Sequence, residues 1–215
     1  MEQRVILNEE DMRRLIRSVI CEVLNETSAC LGISYASVRH LAHDVKEGDL
    51  DAIDKASLLM KRYVPPGSIL VPIPQHSGKA EYTLKMANRI AQLSKSKVCD
   101  VLSSPPRQNL YIQKMRGADP SKKNLGFTAW YDENIAKLMK SARNVILIDN
   151  AIDSGTTYNQ AREAIRQAYN VDAWLLTLGA VVNPKDKSQD VIRSTYPKYG
   201  NGLYESIYVF PFDRE

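Results

Sequence analysis

The fold of this chain is decided by residues 145–157, which run VILIDNAIDSGTT. Four apolar residues that favour β-structure lead directly into Asp149 and Asn150, and a short loop of small hydroxyl residues surrounds Gly155. Residues 158–165 then have the composition of a helix. This order predicts a buried parallel strand, a tight turn and a helix N-terminus. An α/β sheet places its ligands at that end of a strand.

The loop that follows this strand has the chemistry of a phosphate site. Free N–H groups and the positive end of the helix dipole bind anions at a helix N-terminus, and Gly155 permits a close approach with positive φ. Ser154, Thr156 and Thr157 add hydroxyl donors. No Lys-Ser or Lys-Thr pair follows the glycine, which excludes a P-loop, and a single glycine excludes the dinucleotide fingerprint. The alternative is an ordinary turn, since every parallel strand needs one before its crossover helix.

Polar side chains at the tip of the strand indicate a role beyond phosphate binding. Asp149 and Asn150 suit the hydroxyls of a ribose, and Asp149 is able to hold a hydrated divalent cation. Asp153 lies inside the loop, where its charge would repel a bound anion. A role as a base, or as a stabiliser of positive charge, therefore explains Asp153 better than phosphate contact does.

Residues 148–157 resemble the phosphoribosyl-pyrophosphate (PRPP) signature of type I phosphoribosyltransferases. That signature is an apolar strand, two acidic residues and a Thr/Ser/Gly loop that grips the 5-phosphate. The IDSGTT portion is most similar to the hypoxanthine-guanine branch, in which the aspartate at the place of Asp153 is implicated as the base near the purine ring.

Two upstream segments extend the resemblance. Residues 68–74, SILVPIP, followed by QHSGK at 75–79, look like the first core strand and the pyrophosphate loop. Residues 108–127 resemble ComF-type members, which are related to the amidophosphoribosyltransferases. The similar residues there are Gln108, Gln113, Lys114, Met115, Arg116, Asn124, Leu125, Gly126 and Phe127.

The resemblance implies an α/β fold with a type I phosphoribosyltransferase-like parallel sheet flanked by helices. The core would span residues 66–182, an N-terminal helical segment, residues 1–65, would pack on it, and a C-terminal extension, residues 183–215, would form a hood. The implied activity is transfer of phosphoribose from PRPP, with Mg²⁺, to an unidentified nitrogenous acceptor with release of pyrophosphate, in a homodimer.

The resemblance also assigns the site residue by residue. Asp153 and Asp149 would be catalytic, and Asp149 would hold Mg²⁺ through water. PRPP would contact Asp149, Asn150, Asp153, Ser154, Gly155, Thr156 and Thr157. Pyrophosphate would rest on Gln75, His76, Ser77, Gly78 and Lys79, under a flexible lid that carries Arg107, Lys114 and Arg116.

One departure from the family pattern opens two alternatives. The second acidic residue of the signature is Asn150, which brings no charge to balance a cation or a developing oxocarbenium ion. If the chain is an impaired enzyme, Asn150→Asp should raise turnover. Otherwise the domain is a PRPP or nucleotide sensor without chemistry, or a ComF-like protein linked to DNA uptake, which rests on fold-level analogy alone. The Cys-x-x-Cys zinc module that ComF-type chains often carry near the N-terminus is absent from this sequence.

Composition limits the remaining function classes. No apolar run approaches the roughly 20 residues that a bilayer span needs, and the N-terminus lacks the apolar core of a secretion signal, so we expect a cytoplasmic protein. Three scattered cysteines have no metal-ligand spacing, and His40 with His43 is a weak pair for zinc. The net charge of +4 is mild. Basic residues concentrate at Arg107, Lys114, Arg116, Lys122 and Lys123, where no nucleic-acid motif accompanies them.

The periodicity of the whole chain predicts alternating strands and helices, and therefore a parallel sheet with right-handed crossovers. The predicted helices are 8–26, 35–45, one that begins near Asp49 or Asp51, 79–95, 132–141 and 157–169. The predicted strands are 68–74, 98–102, 144–149, 173–182 and one near the end of the tail.

Overall fold

The computed structural model describes residues 30–109, 112–113, 116–117, 123–152, 155–180, 190–192 and 207–210. The predicted helix 8–26, and the site residues Lys114, Asp153 and Ser154, lie outside these ranges. In the described part of the chain the architecture is α/β: a parallel sheet flanked by helices, as the sequence predicts.

The described chain contains nine strands and five α-helices, with seven strands in one sheet and two in another. The strands are β1 (Cys30–Ser34), β2 (Ile69–Pro72), β3 (Lys97–Val98), β4 (Leu102–Ser103), β5 (Thr128–Ala129), β6 (Val145–Ile152), β7 (Trp174–Ala180), β8 (Asp190–Ile192) and β9 (Ile207–Phe210). The helices are α1 (Tyr35–Lys46), α2 (Leu50–Met60), α3 (Tyr82–Ser94), α4 (Glu133–Ser141) and α5 (Thr156–Tyr169), with a short 3₁₀ turn at Lys61–Tyr63.

Seven strands form one sheet in the order β3-β2-β6-β7-β1-β9-β8. The first five are mutually parallel, and β9 runs antiparallel to both β1 and β8. β6 and β7 form its centre, and both are almost wholly buried. Continuous apolar runs are what strands covered on both faces require, which is why residues 145–148 and 174–180 predict central strands.

Side chains alternate between two cores on opposite faces of the sheet. Ile146 and Ile148 of β6 face α1, α2 and α3, whereas Val145 and Leu147 face α4 and α5. The period of two along a strand produces this division. It also means that neighbouring residues at the end of β6 point to different faces, which decides the orientation of the site residues described below.

Local capping explains where the helices begin and end. The Asp49 carboxylate accepts the N–H of Ala52 at 2.7 Å at the start of α2, and the Asp132 carboxylate accepts the N–H of Ile135 at 2.9 Å at the start of α4. Such caps satisfy N–H groups that have no partner within the helix. Asn170 closes α5 with φ of 54°, a left-handed conformation that asparagine tolerates better than most residues.

Both terminal segments contribute strands to the main sheet. β1, from residues 1–65, pairs with β7, and β9 and β8, from the extension 183–215, continue the same sheet beyond β1. Strands β1, β9 and β8 therefore enlarge the sheet, whereas α1 and α2 pack against its core. The predicted helices 35–45 and the one near Asp49 are present as α1 and α2, while β1 was not predicted.

The predicted strand 98–102 is divided between two sheets. β3 pairs with β2, while β4 pairs antiparallel with β5 in a separate two-stranded sheet. The pairing of β4 with β5 therefore joins the two ends of residues 104–127, a segment that is called the excursion below. None of the helices in the described part of the chain has the length and apolarity that crossing a bilayer needs.

Candidate functional site

The strand order reverses between β2 and β6. From β2 the chain passes through α3 to β3 on one side, and the next strand of the sheet, β6, lies on the other side of β2. The α3 and α5 crossovers cover opposite faces of the sheet. A reversal of this kind leaves a crevice at the carboxyl ends of the two strands, where open α/β sheets bind ligands. The segments after β2 and β6 are the two that the sequence predicts as the site.

The segment after β2 folds into a small closed loop at residues 75–79. The Gln75 N–H donates to the Lys79 carbonyl at 3.1 Å, and the Gly78 N–H donates to the Gln75 carbonyl at 3.0 Å. The residues 104–107 lie behind the loop. The Arg107 N–H donates to the His76 carbonyl at 2.8 Å, and the Ser104 N–H donates to the Gly78 carbonyl at 3.3 Å.

These contacts fix the direction of the loop's other N–H groups. No peptide bond in the described chain is cis, so each N–H points away from the carbonyl of its own peptide unit. The carbonyls of Gln75, His76 and Gly78 are held inside the protein, which turns the N–H groups of His76, Ser77 and Lys79 the opposite way. Among the described residues these three N–H groups have no acceptor. The loop therefore offers three donors rather than the five that the sequence suggested.

Position 78 requires a glycine because the backbone of the 75–79 loop approaches the backbone of Ser104 closely there. Its φ is +90°, and a Cβ atom at this position would lie 2.2 Å from the Ser104 carbonyl oxygen. A side chain would thus meet main chain that cannot move aside without disturbing the loop. The Ser77 hydroxyl, which is partly exposed, donates to the Glu81 carboxylate at 3.0 Å, and Lys79 is exposed beside the loop.

Asp149 ends the buried run of β6 and carries the main carboxylate of the crevice. Its Oδ1 accepts the N–H of Asn150 at 2.7 Å. Burial raises the pKa of Asp149 to about 7, and the Asn150 N–H, the Arg107 guanidinium and the Lys46 ammonium oppose this rise. Desolvation favours the uncharged form of a carboxyl group. Asp149 is therefore poised to change its protonation state near neutral pH.

Asn150 points to the other face of the sheet. Its Nδ2 donates to the Ala42 carbonyl at 3.1 Å, and its Oδ1 accepts the Tyr82 hydroxyl at 3.2 Å. The residue is 8% exposed. Both ends of the amide thus bind protein groups, and the ribose contact expected of Asn150 stays a prediction. Burial raises the pKa of Tyr82, with a further rise from the Asp149 charge, so Tyr82 stays a neutral donor.

The segment after β6 leads into α5 through Gly155, which has φ of +75°. Thr156 is buried and Thr157 partly buried in the first turn of the 14-residue helix. Gly155 occupies the N-cap position and has no side chain that could accept an N–H of the helix. Asp153 and Ser154 lie outside the described residues, and their predicted roles stay predictions.

The predicted lid is anchored at both ends. Arg107 donates through its guanidinium to the carbonyls of Gln75 at 3.2 Å and Pro74 at 3.4 Å and to the Ser104 hydroxyl, and it lies 5.1 Å from the centre of the Phe127 ring. Arg116 is exposed, and Lys114 lies outside the described residues. The Arg107 side chain therefore binds the backbone at the start of the 75–79 loop.

The C-terminal end of the excursion is bound to α5. Gln160 accepts the N–H of Leu125 at 2.7 Å and donates to the Lys123 carbonyl at 2.5 Å. Sequence reasoning missed Gln160, together with Tyr82, Ser104 and Ala42. The contacts of Gln160 and Ala42 each involve a main-chain atom, and main-chain atoms leave no pattern in the sequence.

Asp149 is the residue of the crevice with the chemistry of a magnesium ligand. No group of three or more His, Cys, Asp or Glu residues that could hold a metal exists in the described ranges. Mg²⁺ is commonly bound by one or two carboxylates, water and substrate phosphates, so the single carboxylate of Asp149 is sufficient. His40 and His43 are exposed on α1, where their partners are Arg39 and Asp44.

Fold and candidate site together describe an α/β protein in which the 75–79 loop and the Asp149 carboxylate lie at the switch point of the sheet. No protein-family model matches the chain, and no curated protein matches it.

Proposed function

We propose that this protein is a phosphoribosyltransferase of the type I kind, which binds PRPP and transfers its phosphoribosyl group to a nitrogen nucleophile with release of pyrophosphate. One observation carries the proposal: the 75–79 loop with its three available N–H groups follows β2, and the Asp149 carboxylate and the N-terminus of α5 belong to the neighbouring β6–α5 unit at the switch point. A ligand in which a neutral sugar joins a phosphate to a pyrophosphate matches this arrangement of N–H donors and carboxylate.

The two loops would divide the phosphates of PRPP. The N–H groups of His76, Ser77 and Lys79 would hold the pyrophosphate, with the exposed Lys79 ammonium adding charge. Residues 153–157 and the start of α5 would hold the 5-phosphate, because helix N-termini favour anions. Asp149 is left to accept hydrogen bonds from the ribose hydroxyls, since Asn150 is committed to Ala42 and Tyr82.

Chemistry at the anomeric carbon would proceed as the nucleophile forms a bond to that carbon and the pyrophosphate leaves with the bonding electrons. Positive charge develops on the sugar in this transition state, and the ionised Asp149 carboxylate stabilises it electrostatically. Mg²⁺ would be held by the phosphates and, through water, by Asp149, and it would neutralise the charge of the leaving group. Asp153 is the candidate base that takes the proton of the nucleophile, as the family resemblance implies.

A non-catalytic PRPP or nucleotide sensor is the second candidate. The observation that favours it is that residue 150 is an asparagine whose amide is bound by Ala42 and Tyr82, so that Asp149 is left as one carboxylate where the family pattern has two. The two candidates share the PRPP site and differ only in turnover.

Calorimetric titration with PRPP, with and without Mg²⁺, tests the shared site. We expect saturable binding that strengthens with Mg²⁺ and that weakens at least about tenfold in Lys79→Gln and Asp149→Asn, as loss of a charge-assisted contact requires. Lys137→Gln is the matched control, because Lys137 is exposed on α4 and bonds only to Glu133 in the described structure. Absence of PRPP binding to the wild-type protein would refute both candidates.

Pyrophosphate release in the presence of purines, pyrimidines and amines then separates enzyme from sensor. Release with at least one acceptor, and its loss in Asp153→Asn with PRPP binding retained, supports the enzyme. Tight PRPP binding without release for any acceptor supports the sensor.

A further inference from the structure

The residues 104–107 contact the 75–79 loop on the side opposite its three available N–H groups. Two backbone N–H groups, of Ser104 and Arg107, and the Arg107 guanidinium donate to carbonyls of residues 74–78. The carbonyls of Gln75, His76 and Gly78 are thereby engaged from behind. The N–H groups of the same three peptide units are directed to the front of the loop, where three donors favour an anion.

Arg107 makes the largest share of these contacts. Its guanidinium spans the successive carbonyls of Pro74 and Gln75, bonds to the Ser104 hydroxyl and lies over the Phe127 ring. A planar guanidinium presents several donors in fixed directions and stacks on aromatic faces, whereas a lysine ammonium does neither in this way. Its donors are therefore directed to main-chain carbonyls.

We infer that Arg107 is a positioning residue of the 75–79 loop, which holds the loop's carbonyls from behind and so presents the N–H groups of His76, Ser77 and Lys79 to an anionic ligand. The inference rests on the proposed function for the identity of that anion. It differs from the sequence-based expectation, in which Arg107 contacts pyrophosphate directly from a flexible lid.

Two variants of Arg107 distinguish a residue that supports the 75–79 loop from a residue that contacts the anion. If Arg107 supports the loop, Arg107→Lys and Arg107→Gln should both weaken binding of inorganic pyrophosphate about tenfold or more, because lysine cannot span two carbonyls. If Arg107 contacts the anion, Arg107→Lys should retain most of the affinity. Wild-type affinity in the lysine variant would overturn the inference.

Hydrogen exchange of residues 74–79, measured without ligand by mass spectrometry, gives a second and independent readout. We expect faster exchange of this segment in both Arg107 variants, and no change in Arg166→Gln, which removes an exposed arginine that pairs with Glu163 on α5. Unchanged exchange together with weaker pyrophosphate binding would mark Arg107 as a direct ligand and overturn the inference.

A milder variant covers the case in which the Arg107 variants fail to fold. Ser104→Ala removes only the hydroxyl that accepts from the guanidinium, and we expect faster exchange of the loop with a smaller loss of pyrophosphate affinity, about twofold to fivefold. Exchange and affinity equal to wild type in Ser104→Ala would count against the inference. If the wild-type protein binds no pyrophosphate while exchange still rises in the variants, the proposed function fails and the support of the loop by Arg107 stands.

Discussion

The side-chain amide of Asn150 donates to the main-chain carbonyl of Ala42 at 3.1 Å, which joins the central strand β6 to helix α1. The Tyr82 hydroxyl completes the contact by donating to the other end of the amide, and it belongs to α3. Three elements that are distant in sequence therefore meet at one buried side chain. An amide suits this place because it supplies a donor and an acceptor together.

We predict that Asn150→Asp destabilises the protein instead of raising its turnover. The carboxylate would place an acceptor against the Ala42 carbonyl in a site that is 8% exposed, and leaving a buried acceptor without its donor costs about 1–3 kcal/mol. The measurement is urea-induced unfolding at pH 7. Asn134→Asp is the matched control, because Asn134 is exposed in the first turn of α4, where a negative charge is tolerated. Native stability with raised pyrophosphate release in Asn150→Asp would restore the interpretation made from the sequence.

The apolar runs of β6 and β7 and the Asp caps of α2 and α4 carried enough information to predict the core of the fold. Alternation along β6 also carried a signal about the site, since Asp149 and Asn150 are adjacent in a strand and face opposite sides of the sheet. The expectation that both residues bind ribose did not take into account that their side chains face opposite sides of the sheet. The roles of Ser104 and Arg107 left no such signal, because each bonds to main-chain atoms of a segment about thirty residues away.

Stability should fall as the pH rises from about 4 to about 7, because of Asp149. Its pKa is about 7 in the folded protein and near its ordinary, lower value in the unfolded chain. Between these two values the folded state holds a proton that the unfolded state has released, so raising the pH favours unfolding. Since Asp149 keeps partial contact with solvent, we expect a total effect on the order of 1–2 kcal/mol.

Comparison with Asp149→Asn isolates this contribution from the other titrating groups. Urea unfolding between pH 4.5 and 8 should give similar stabilities at the acid end and a more stable variant at the alkaline end. Asp51→Asn, in an exposed position of α2, is the control, and its difference in stability from the wild type should not grow with pH in this way. A wild-type protein that gains stability over Asp149→Asn as the pH rises would mean that the Arg107 and Lys46 charges outweigh burial.

Gly78→Ala should disrupt the 75–79 loop. The substitution combines an unfavourable positive φ with a Cβ atom 2.2 Å from the Ser104 carbonyl oxygen, so the two backbones must separate. Gly48→Ala is a close control, because Gly48 has φ of +87° and nothing within 4 Å of the added atom. We expect both variants to lose the roughly 1–2 kcal/mol that a left-handed non-glycine residue costs, and Gly78→Ala to lose more and to abolish pyrophosphate binding. Equal unfolding free energies in the two variants would contradict the close approach at Gly78.

Gln160→Ala should release the base of the excursion from α5 with little effect on the rest of the protein. Gln160 binds the Leu125 N–H and the Lys123 carbonyl, and two such bonds contribute about 1 kcal/mol each. Hydrogen exchange of residues 123–129 should therefore accelerate severalfold, while exchange in the buried strands β6 and β7 stays near the wild-type rate, because local openings do not require global unfolding. Gln167→Ala on the same helix is the control, since Gln167 is exposed and bonds only to Glu163 in the described structure. Equal exchange in the two variants would show that other contacts, such as the approach of Pro105 to Gly126, hold the excursion in place without Gln160.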